Sequence, residues 1–166
     1  MSKIYKKTYM SPIVPIYLYA DDTHLLAVSF EANDSALQKK LKLGEAIDER
    51  SEIIERTIEQ LSEYFLGQRK EFDLPLKLSG TPFQLRAWEA LLKIPYGRSS
   101  SYSEQALSIE KDKAVRAIGA ANGKNAHSIL IPCHRVVGKN GSLTGYAGGK
   151  EVKAALLDLE QKFLNS

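Results

Sequence analysis

Ile131-Pro132-Cys133-His134-Arg135-Val136-Val137 is the stretch around the only cysteine of the chain. The proline fixes φ just before the cysteine and stops strand pairing there, so the preceding apolar run, residues 128–131, is predicted to be a short buried strand. His134 and Arg135 place a base or a positive charge beside the sulfur, which favours the nucleophilic thiolate. The pattern indicates a cysteine nucleophile, while a buried thiol that packs as a small hydrophobe is the alternative.

The composition is that of an ordinary folded protein. The chain has 166 residues, of which 43% are hydrophobic and 26% are charged, enough for one domain or two small ones. A single cysteine cannot form an internal disulfide, and the sequence contains no signal-peptide stretch and no apolar run of membrane-spanning length. We therefore expect a cytoplasmic protein that does not contact a membrane.

The net charge of +3 is unevenly distributed along the chain. Residues 1–79 contain 11 Lys and Arg against 13 Asp and Glu, whereas residues 80–166 contain 12 against 7. The two halves therefore have balances of −2 and +5, and the cysteine lies in the basic half. A basic half can attract a polyanion such as DNA, but charge alone does not decide this.

The first half of the chain predicts a small α/β domain over residues 1–75. Residues 13–19 and 24–30 are rich in β-forming side chains and flank a turn, as in a β-hairpin. A helix is predicted over residues 51–65, where apolar side chains recur at helical spacing. Residues 67–79 contain glycine, proline and several charges, and are typical of a linker.

The second half begins with a helix start signal and continues with two short helices. Thr81-Pro82-Phe83-Gln84 is a capping box with proline at the first helical position. Helices predicted over residues 103–108 and 113–122 are joined by a tight break at residues 110–112, with Gly123 as the C-cap of the second. This arrangement is typical of a helix-turn-helix, although any small helical bundle gives a similar pattern.

A glycine-rich loop, residues 138–149, follows the cysteine. Its glycines let the backbone approach a ligand closely, and Tyr146 among them is placed to form a pocket wall, whereas a flexible surface loop is the alternative. The last helix is predicted over residues 150–164, where Glu160 lies next to the buried stripe and a solvated carboxylate is the usual case. These features predict a mainly helical domain over residues 76–166 and an α+β fold for the whole chain.

Six motifs of the second half recur together in one protein family. They are Gly80-Thr81-Pro82-Phe83-Gln84, Ile94-Pro95-Tyr96-Gly97, Ser101-Tyr102, Val115-Arg116-Ala117-Ile118-Gly119, the cysteine stretch and Tyr146-Ala147-Gly148-Gly149. In order and spacing they resemble the O6-alkylguanine-DNA alkyltransferases, the methylated-DNA–protein-cysteine methyltransferases. The resemblance is close over residues 80–163 and extends to residues 1–79 only in general architecture.

The resemblance implies DNA repair by direct reversal of damage. A protein of this family flips an O6-alkylguanine out of duplex DNA, because a stacked base cannot be reached, and moves the alkyl group to a cysteine. The resemblance also implies that a monomer binds DNA through the minor groove. O4-alkylthymine is a second candidate lesion, and neither a metal nor an organic cofactor is expected. The thioether product has no good leaving group, so one turnover per molecule is expected.

The resemblance also assigns catalytic roles. Cys133 is the alkyl acceptor, and His134 is the base that acts through a bound water. Glu160 orients the imidazole, in a nucleophile–base–orienter arrangement. Asn125 stabilises the loop around the site, and Arg135 fixes local geometry.

A second set of residues is assigned to the base and the DNA. It comprises Tyr102, Arg116, Val136, Tyr146, Ala147 and Gly148. Tyr102 would form a hydrogen bond with the flipped base and crowd its 3′ phosphate. Arg116 would fill the space that the flipped base leaves in the DNA stack. The carbonyls of Cys133 and Val136 would read the guanine amino group, and Tyr146 with the loop backbone would line the pocket.

The chain departs from the family pattern at several points. Ala147 stands where many members have a serine whose hydroxyl helps bind the leaving oxygen, and Ala126 replaces the usual proline after Asn125. The sequence has no cysteine-rich phosphotriester domain, which argues against a transcriptional role. His24 and His127 have no cysteine or carboxylate neighbours at ligand spacing, so no zinc site is expected.

Two other classes of function stay open. One is a non-catalytic helix-turn-helix sensor of alkyl lesions, although the alkyltransferase-like proteins have tryptophan where this chain has Cys133. The other is a Cys-His hydrolase, which would need many turnovers on an ester.

Overall fold

The computed structural model describes residues 3–164 and contains an N-terminal sheet with two helices, followed by a mainly helical part. The strands of the larger sheet are β1 (Ile4–Met10), β2 (Pro15–Ala20), β3 (Leu25–Ser29) and β4 (Ala46–Ile47). The remaining elements are α1 (Glu31–Leu41), α2 (Glu52–Phe65), α3 (Pro82–Leu92), β5 (Ser100–Ser101), α4 (Tyr102–Ser108), α5 (Val115–Gly123), a 3₁₀ turn (Cys133–Arg135), β6 (Val136–Val137) and α6 (Lys150–Phe163). The predicted α+β class is confirmed.

The larger sheet has the strand order β3-β2-β1-β4. The predicted hairpin is confirmed as the antiparallel pair β2–β3, and its turn is closed by the carboxylate of Asp21, which accepts the backbone N–H groups of Thr23 and His24. β1, which pairs antiparallel with β2, was not predicted. Its residues are mostly exposed or half-buried and include adjacent lysines, so its sequence does not show a clear apolar face.

The helix α2 matches its predicted range, and the hydroxyl of Ser51 caps its first turn by accepting the N–H of Ile54. The helix α1 was not predicted. It is held by a polar anchor instead of an apolar stripe: the buried carboxylate of Asp34 accepts hydrogen bonds from Tyr19, Ser29 and Gln38 at 2.6–2.7 Å. Periodicity of apolar residues cannot reveal a helix that is attached in this way.

The segment over residues 67–79, predicted as a linker, is packed along the sheet. The N–H of Leu25 donates to the carbonyl of Pro75 at 2.7 Å, and the N–H of Lys77 donates to the carbonyl of Leu25 at 3.0 Å. Arg56 and Gln60 of α2 donate to the carbonyl of Asp73. The connection is therefore fixed over part of its length, and the prediction of a free linker is wrong there.

In the helical part, the capping box at the start of α3 is confirmed, with Thr81 and Gln84 bonded reciprocally. The helices α4 and α5 form the predicted helix-turn-helix, and a pair of amide hydrogen bonds between Gln105 and Asn122 joins them. The turn between them includes Glu110 in a left-handed conformation, with φ of 61°.

The predicted C-cap of α5 is wrong. Gly123 is the last helical residue, its φ is not positive, and Lys124 takes the cap position. The helix also begins at Val115 instead of residue 113. Helix ends depend on local contacts as well as on residue type, so such shifts of one or two residues are common.

The segment before the cysteine joins the helical part to the sheet. Val28 of β3 donates its N–H to the carbonyl of Ala126 at 2.8 Å and accepts the N–H of Ser128 at 3.1 Å. The predicted strand over residues 128–131 is wrong: the N–H of Ile131 bonds the carbonyl of His127, and Ile129 has a φ of 74°. An apolar run without alternation is compatible with a buried turn as well as a buried strand.

The largest hydrophobic cluster includes side chains from both halves of the chain. Leu61 and Tyr64 of α2 belong to it together with Ile129 and Leu156. The division into domains at residues 1–75 and 76–166 stays a prediction, because a shared core does not by itself mark a boundary. Within residues 3–164, no helix combines the length and the apolar character needed to cross a bilayer.

Candidate active site

Cys133 begins the 3₁₀ turn after Pro132, where its side chain is 7% exposed at the wall of a cavity of about 350 Å³. The cavity is lined by Asn33, Tyr102, Gly119, Asn122, Gly123, Cys133, Gly145, Tyr146 and Ala147. Of the predicted base-binding residues, Tyr102, Tyr146 and Ala147 are therefore in the same cavity as the sulfur. The thiol lies beside a space that a ligand can enter, unlike an inert core cysteine.

Asn125 fixes the sulfur and the loop around it. Its Nδ2 lies 3.3 Å from Sγ of Cys133 and donates to the carbonyl of Ile131 at 2.8 Å. Its Oδ1 accepts the N–H of His127, whose Nε2 bonds the carbonyl of Leu25 on β3 at 2.9 Å. The position of the sulfur thus depends on the edge of the N-terminal sheet.

The predicted pair of His134 and Glu160 is formed. Nε2 of His134 lies 2.7 Å from Oε2 of Glu160, and both side chains are at most 1% exposed. The carboxylate also accepts hydrogen bonds from Tyr64, Arg135 and the N–H of Gly97. A solvated Glu160, the usual case for such a helix position, is therefore wrong.

The protonation state of Glu160 follows from these contacts. Burial alone would raise the pKa of its carboxyl, but the hydrogen bond and charge of His134, followed by those of Arg135, lower the pKa to about 2. Glu160 is thus an anion at neutral pH. Burial lowers the pKa of His134 more than Glu160 raises it, so the imidazole is neutral.

The neutral imidazole has one defined tautomer. Because Glu160 is an acceptor, Nε2 of His134 carries the hydrogen and Nδ1 is left with a lone pair. Nδ1 is buried and has no hydrogen-bond partner among residues 3–164. The arrangement provides a general base of fixed orientation on the residue that follows the nucleophile in the chain.

The resting cysteine is a thiol, and the expectation of a thiolate favoured by His134 and Arg135 is wrong. Burial raises the pKa of Cys133 above its ordinary value, although the hydrogen bond from Asn125 and the charge of Lys153 act against it. The guanidinium of Arg135 is directed to Glu160 and to the carbonyl of Ile94 instead of the sulfur. His134 is neutral, so it supplies a base and no positive charge.

Several residues of the site were not predicted, among them two that act on its charged groups. Lys153 of α6 is fully buried, donates to the carbonyl of Thr144 at 3.3 Å, and its positive charge partly offsets the rise in the pKa of Cys133 that burial causes. Tyr64 of α2 donates to Glu160 at 2.7 Å. Lys153 lies seven residues before Glu160, on the same face of the helix, and this spacing is the signal that could have indicated it.

The glycine-rich loop folds over the site. The ring of Tyr146 packs edge-on against that of His134, with centroids 6.4 Å apart, and against Phe30 at 5.7 Å. Gly148 lies so close to Phe30 that a Cβ would stand 2.8 Å from its ring. The hydroxyl of Tyr102 is 2.7 Å from that of Thr144. The loop is therefore a packed wall of the cavity.

The remaining predicted residues lie in different settings. Val136 is buried, packs in one cluster with Cys133, and pairs through β6 with Ser100 of β5. Arg116 is exposed near the start of α5 and does not line the cavity. Among the residues that the structure describes, no group of three or more His, Cys, Asp or Glu side chains could hold a metal ion.

A cysteine with a His–Glu pair, next to a helix-turn-helix, defines a cysteine-dependent protein of the DNA-binding class. Two family models match the chain: 6-O-methylguanine DNA methyltransferase, ribonuclease-like domain, over residues 4–78, and 6-O-methylguanine DNA methyltransferase, DNA binding domain, over residues 82–162. The chain therefore belongs to the 6-O-methylguanine DNA methyltransferase family, and the predicted family is confirmed.

Individual relatives agree with this assignment. The chain is 43% identical over 157 residues to the methylated-DNA–protein-cysteine methyltransferase of Methanosarcina acetivorans, covering 95% of this chain and 98% of that protein. It is 57% identical over 104 residues to the constitutive enzyme of that name from Bacillus subtilis, covering 62% of this chain and 63% of the relative. The predicted enzyme class, a methylated-DNA–protein-cysteine methyltransferase, is confirmed.

Solved structures give the same result for the fold. The O6-methylguanine methyltransferase of Mycobacterium tuberculosis superposes with a TM-score of 0.84 at 40% identity, covering 96% of this chain and 93% of that one. A Mycobacterium tuberculosis structure in complex with DNA gives a TM-score of 0.86 at 40% identity and covers 96% of this chain and 94% of that one.

The activity of the family is methyl transfer in the repair of alkylated DNA.

Proposed function

We propose that this protein removes the alkyl group from O6-alkylguanine in duplex DNA and retains it on Cys133, once per molecule. The observation that carries the proposal is the placement of Cys133 at a cavity of about 350 Å³, with Asn125 bonded to its sulfur and the next residue, His134, paired with Glu160. This volume lies within the range of roughly 300–1,000 Å³ that is typical of small-molecule sites. A single flipped base is a ligand of suitable size.

The transfer is a displacement at the alkyl carbon. A bond forms between Sγ of Cys133 and the carbon as the bond between that carbon and O6 breaks, and the electron pair of the broken bond stays on the guanine. The thiol gives its proton to Nδ1 of His134. The nucleobase takes up one proton at N1 and becomes guanine. The thiol loses one proton and the nucleobase gains one, so atoms and charge balance, and no oxidant or reductant is needed.

His134 acts as the base through a bound water. Its Nδ1 has a lone pair and no partner among the described residues, while Nε2 is held by Glu160. Because Cys133 is a thiol at rest, deprotonation has to accompany substrate binding. Glu160 stabilises the imidazolium that forms as the proton is taken up.

One turnover per molecule follows from the product. A thioether is a poor electrophile with no good leaving group, and nothing in the proposed step regenerates the thiol. This outcome separates the protein from a Cys-His hydrolase, in which water attacks an acyl-enzyme and releases the cysteine. Neither a metal nor an organic cofactor has a role in the chemistry.

The helix-turn-helix brings the DNA to the cavity. Arg116 is exposed near the start of α5, without a hydrogen bond or ion pair to the described residues, and is therefore available to enter the minor groove and fill the space of the flipped nucleotide. Tyr102, which lines the cavity at the start of α4, is placed to contact the base and its 3′ phosphate. One protein molecule can make both contacts, so the protein acts on DNA as a monomer.

The cavity wall reads the base. The carbonyls of Cys133 and Val136 accept hydrogen bonds from the guanine amino group. Tyr146 stacks against the base, and the backbone of Ala147 and Gly148 approaches the leaving oxygen. O4-alkylthymine is a smaller ligand that presents its alkyl group in a similar way, and it is the second candidate substrate. Bound in this manner, the base is read along the edge that is paired within the duplex.

A titration of repair against protein concentration tests the proposal. Increasing amounts of protein are incubated with excess duplex DNA that contains O6-methylguanine, and the remaining lesion is quantified by nucleoside analysis. We expect the amount removed to reach a plateau at one per protein and Cys133→Ala to remove none. A plateau well above one would contradict the single turnover.

Lesion-selective binding without any removal by the wild-type protein would instead establish the sensor. In that case Cys133→Ala would also protect cells from alkylation as well as the wild type does. The plateau and the protection assay therefore separate repair from sensing.

A further inference from the structure

One wall of the cavity comes from the N-terminal half of the chain. Asn33, in the first turn of α1, lines the cavity together with Cys133 and Ala147. Among residues 3–164 it is the only lining residue that lies before the helical part, and neither its position nor its helix was predicted. Asn33 therefore borders the space that a flipped base would occupy.

The orientation of the Asn33 amide is fixed by a backbone contact. Its Oδ1 accepts the N–H of Phe30 at 2.8 Å, which closes the first turn of α1. Since a backbone N–H can only donate, the oxygen and nitrogen of the amide are distinguished by this bond. Nδ2, with two hydrogens, has no hydrogen-bond partner among residues 3–164, and it is the donor that remains for a ligand.

The side chain is also held in place by its neighbours. Asp34 anchors α1 to the sheet through three buried hydrogen bonds, and Phe30 packs on Tyr146 and Gly148 of the glycine-rich loop. Asn33 lies between these two anchors. A donor that is fixed before the ligand arrives loses little conformational entropy on binding.

The side chain of Ala147 offers no hydrogen-bond donor to the cavity. Many members of the family have a serine hydroxyl where this chain has Ala147, and Ala147 lines the same cavity as Asn33. On the basis of the proposed function, we infer that Nδ2 of Asn33 donates a hydrogen bond to the O6–N7 edge of the flipped guanine, where both atoms are acceptors. Asn33 is thus a specificity-determining residue of this chain.

Three variants test the inference in the full-length protein. Asn33→Asp keeps the oxygen that caps α1 but has no N–H donor, whereas Asn33→Ala loses both. We expect each to slow methyl transfer from duplex O6-methylguanine by roughly 3- to 10-fold, the effect of one neutral hydrogen bond. Ser35→Ala, an exposed change on the same helix, is the control.

Two further measurements separate a lost donor from other causes. The alkylation rate of Cys133 by iodoacetamide reports on the intrinsic reactivity of the thiol, and we expect it to stay unchanged in all three variants. We also expect Ala147→Ser to restore most of the transfer rate in the Asn33→Ala background, because a hydroxyl would again be present in the cavity.

Several outcomes would overturn the inference. They are wild-type transfer rates in both Asn33 variants, an equal fall in the iodoacetamide rate, and a lack of rescue by Ala147→Ser. If wild-type protein removed no methyl group in the same assay, the proposed function itself would fail, and this result is distinct from the others.

Discussion

At the scale of single residues, the active site is determined by how buried charges are compensated. The Glu160 carboxylate is 1% exposed and accepts five hydrogen bonds, which keep it ionised inside the protein. The charge of Glu160 in turn sets the tautomer of His134. The thiol of Cys133 is itself left protonated, because burial raises its pKa above the ordinary value.

Lys153 provides a prediction at this scale. Replacing it with Met keeps most of its apolar stem and removes the positive charge that lowers the pKa of Cys133. We expect the apparent pKa of the thiol, measured from the pH dependence of iodoacetamide alkylation, to rise and transfer at neutral pH to slow. Lys153→Arg retains the charge and is the control, and an unchanged apparent pKa in the Met variant would disprove the role.

At the scale of secondary-structure elements, the segment over residues 126–128 connects the nucleophile to β3. His127 is the central residue of this contact, and burial lowers its pKa to about 4. Its folded-state pKa is therefore below that of the unfolded chain, which is about 6.5. Between these values the unfolded state binds more protons than the folded state, so the free energy of unfolding falls as the pH decreases.

This difference predicts a loss of stability in mild acid. Between about pH 6.5 and pH 4 we expect His127 alone to account for a decrease of about 3 kcal/mol in the free energy of unfolding, with His134 acting in the same direction. Urea denaturation at pH 7 and pH 5 measures the change. His127→Gln should show a smaller decrease than the wild type, and identical pH dependence of the two proteins would refute this explanation.

The helix α5 gives a second prediction at the element scale. Arg116→Ala is expected to slow transfer from O6-methylguanine in duplex DNA more than transfer from free O6-benzylguanine, because only the duplex needs the stack to be filled. The ratio of the two rate constants is the measurement. Equal losses on both substrates would argue against insertion into the DNA.

The elements also show which parts of the protein its sequence could predict. The capping box of α3 and the apolar stripe of α2 are local signals, and they predicted the start of α3 and the range of α2. The helix α1 depends on Asp34, whose partners lie on two strands, and the turn at Ile129 depends on contacts with β3. Such features arise from long-range contacts that no local pattern encodes.

The same distinction applies to the site. The roles of Cys133, His134, Asn125 and Glu160 were expected from the family resemblance, and the structure forms the pairs Asn125–Cys133 and His134–Glu160. The roles of Tyr64 and Asn33 could not be expected, because contacts between the two halves determine them, whereas the spacing of Lys153 from Glu160 was a usable signal. The protonation of Cys133 was predicted incorrectly because the sequence did not show that the thiol is buried, nor that the Arg135 side chain points to Glu160.

At the scale of the whole molecule, the N-terminal half completes the active site. Tyr64 of α2 donates to Glu160 across the interface between the halves. We expect Tyr64→Phe to lower the free energy of unfolding by about 1.5–3 kcal/mol, since a buried charge loses a hydrogen bond, and to slow transfer as His134 is held less firmly. Urea denaturation and transfer rates are the measurements.

Tyr17→Phe is the matched control, because the Tyr17 hydroxyl has no part in the Glu160 network. A Tyr64→Phe protein with the stability and rate of the wild type would mean that the helical half forms its site without this contact. The transfer rate is the decisive readout, since a purely structural tyrosine would change stability alone.

The central claim is that Cys133 is the permanent acceptor of the alkyl group, and intact-protein mass spectrometry tests it most directly. The protein is incubated with duplex DNA that contains one O6-methylguanine, then weighed and mapped by peptide analysis. We predict a gain of one methylene mass, located on Cys133 and saturating at one per protein. An unchanged mass after the lesion has been bound, or a methyl group on another residue, would contradict the claim.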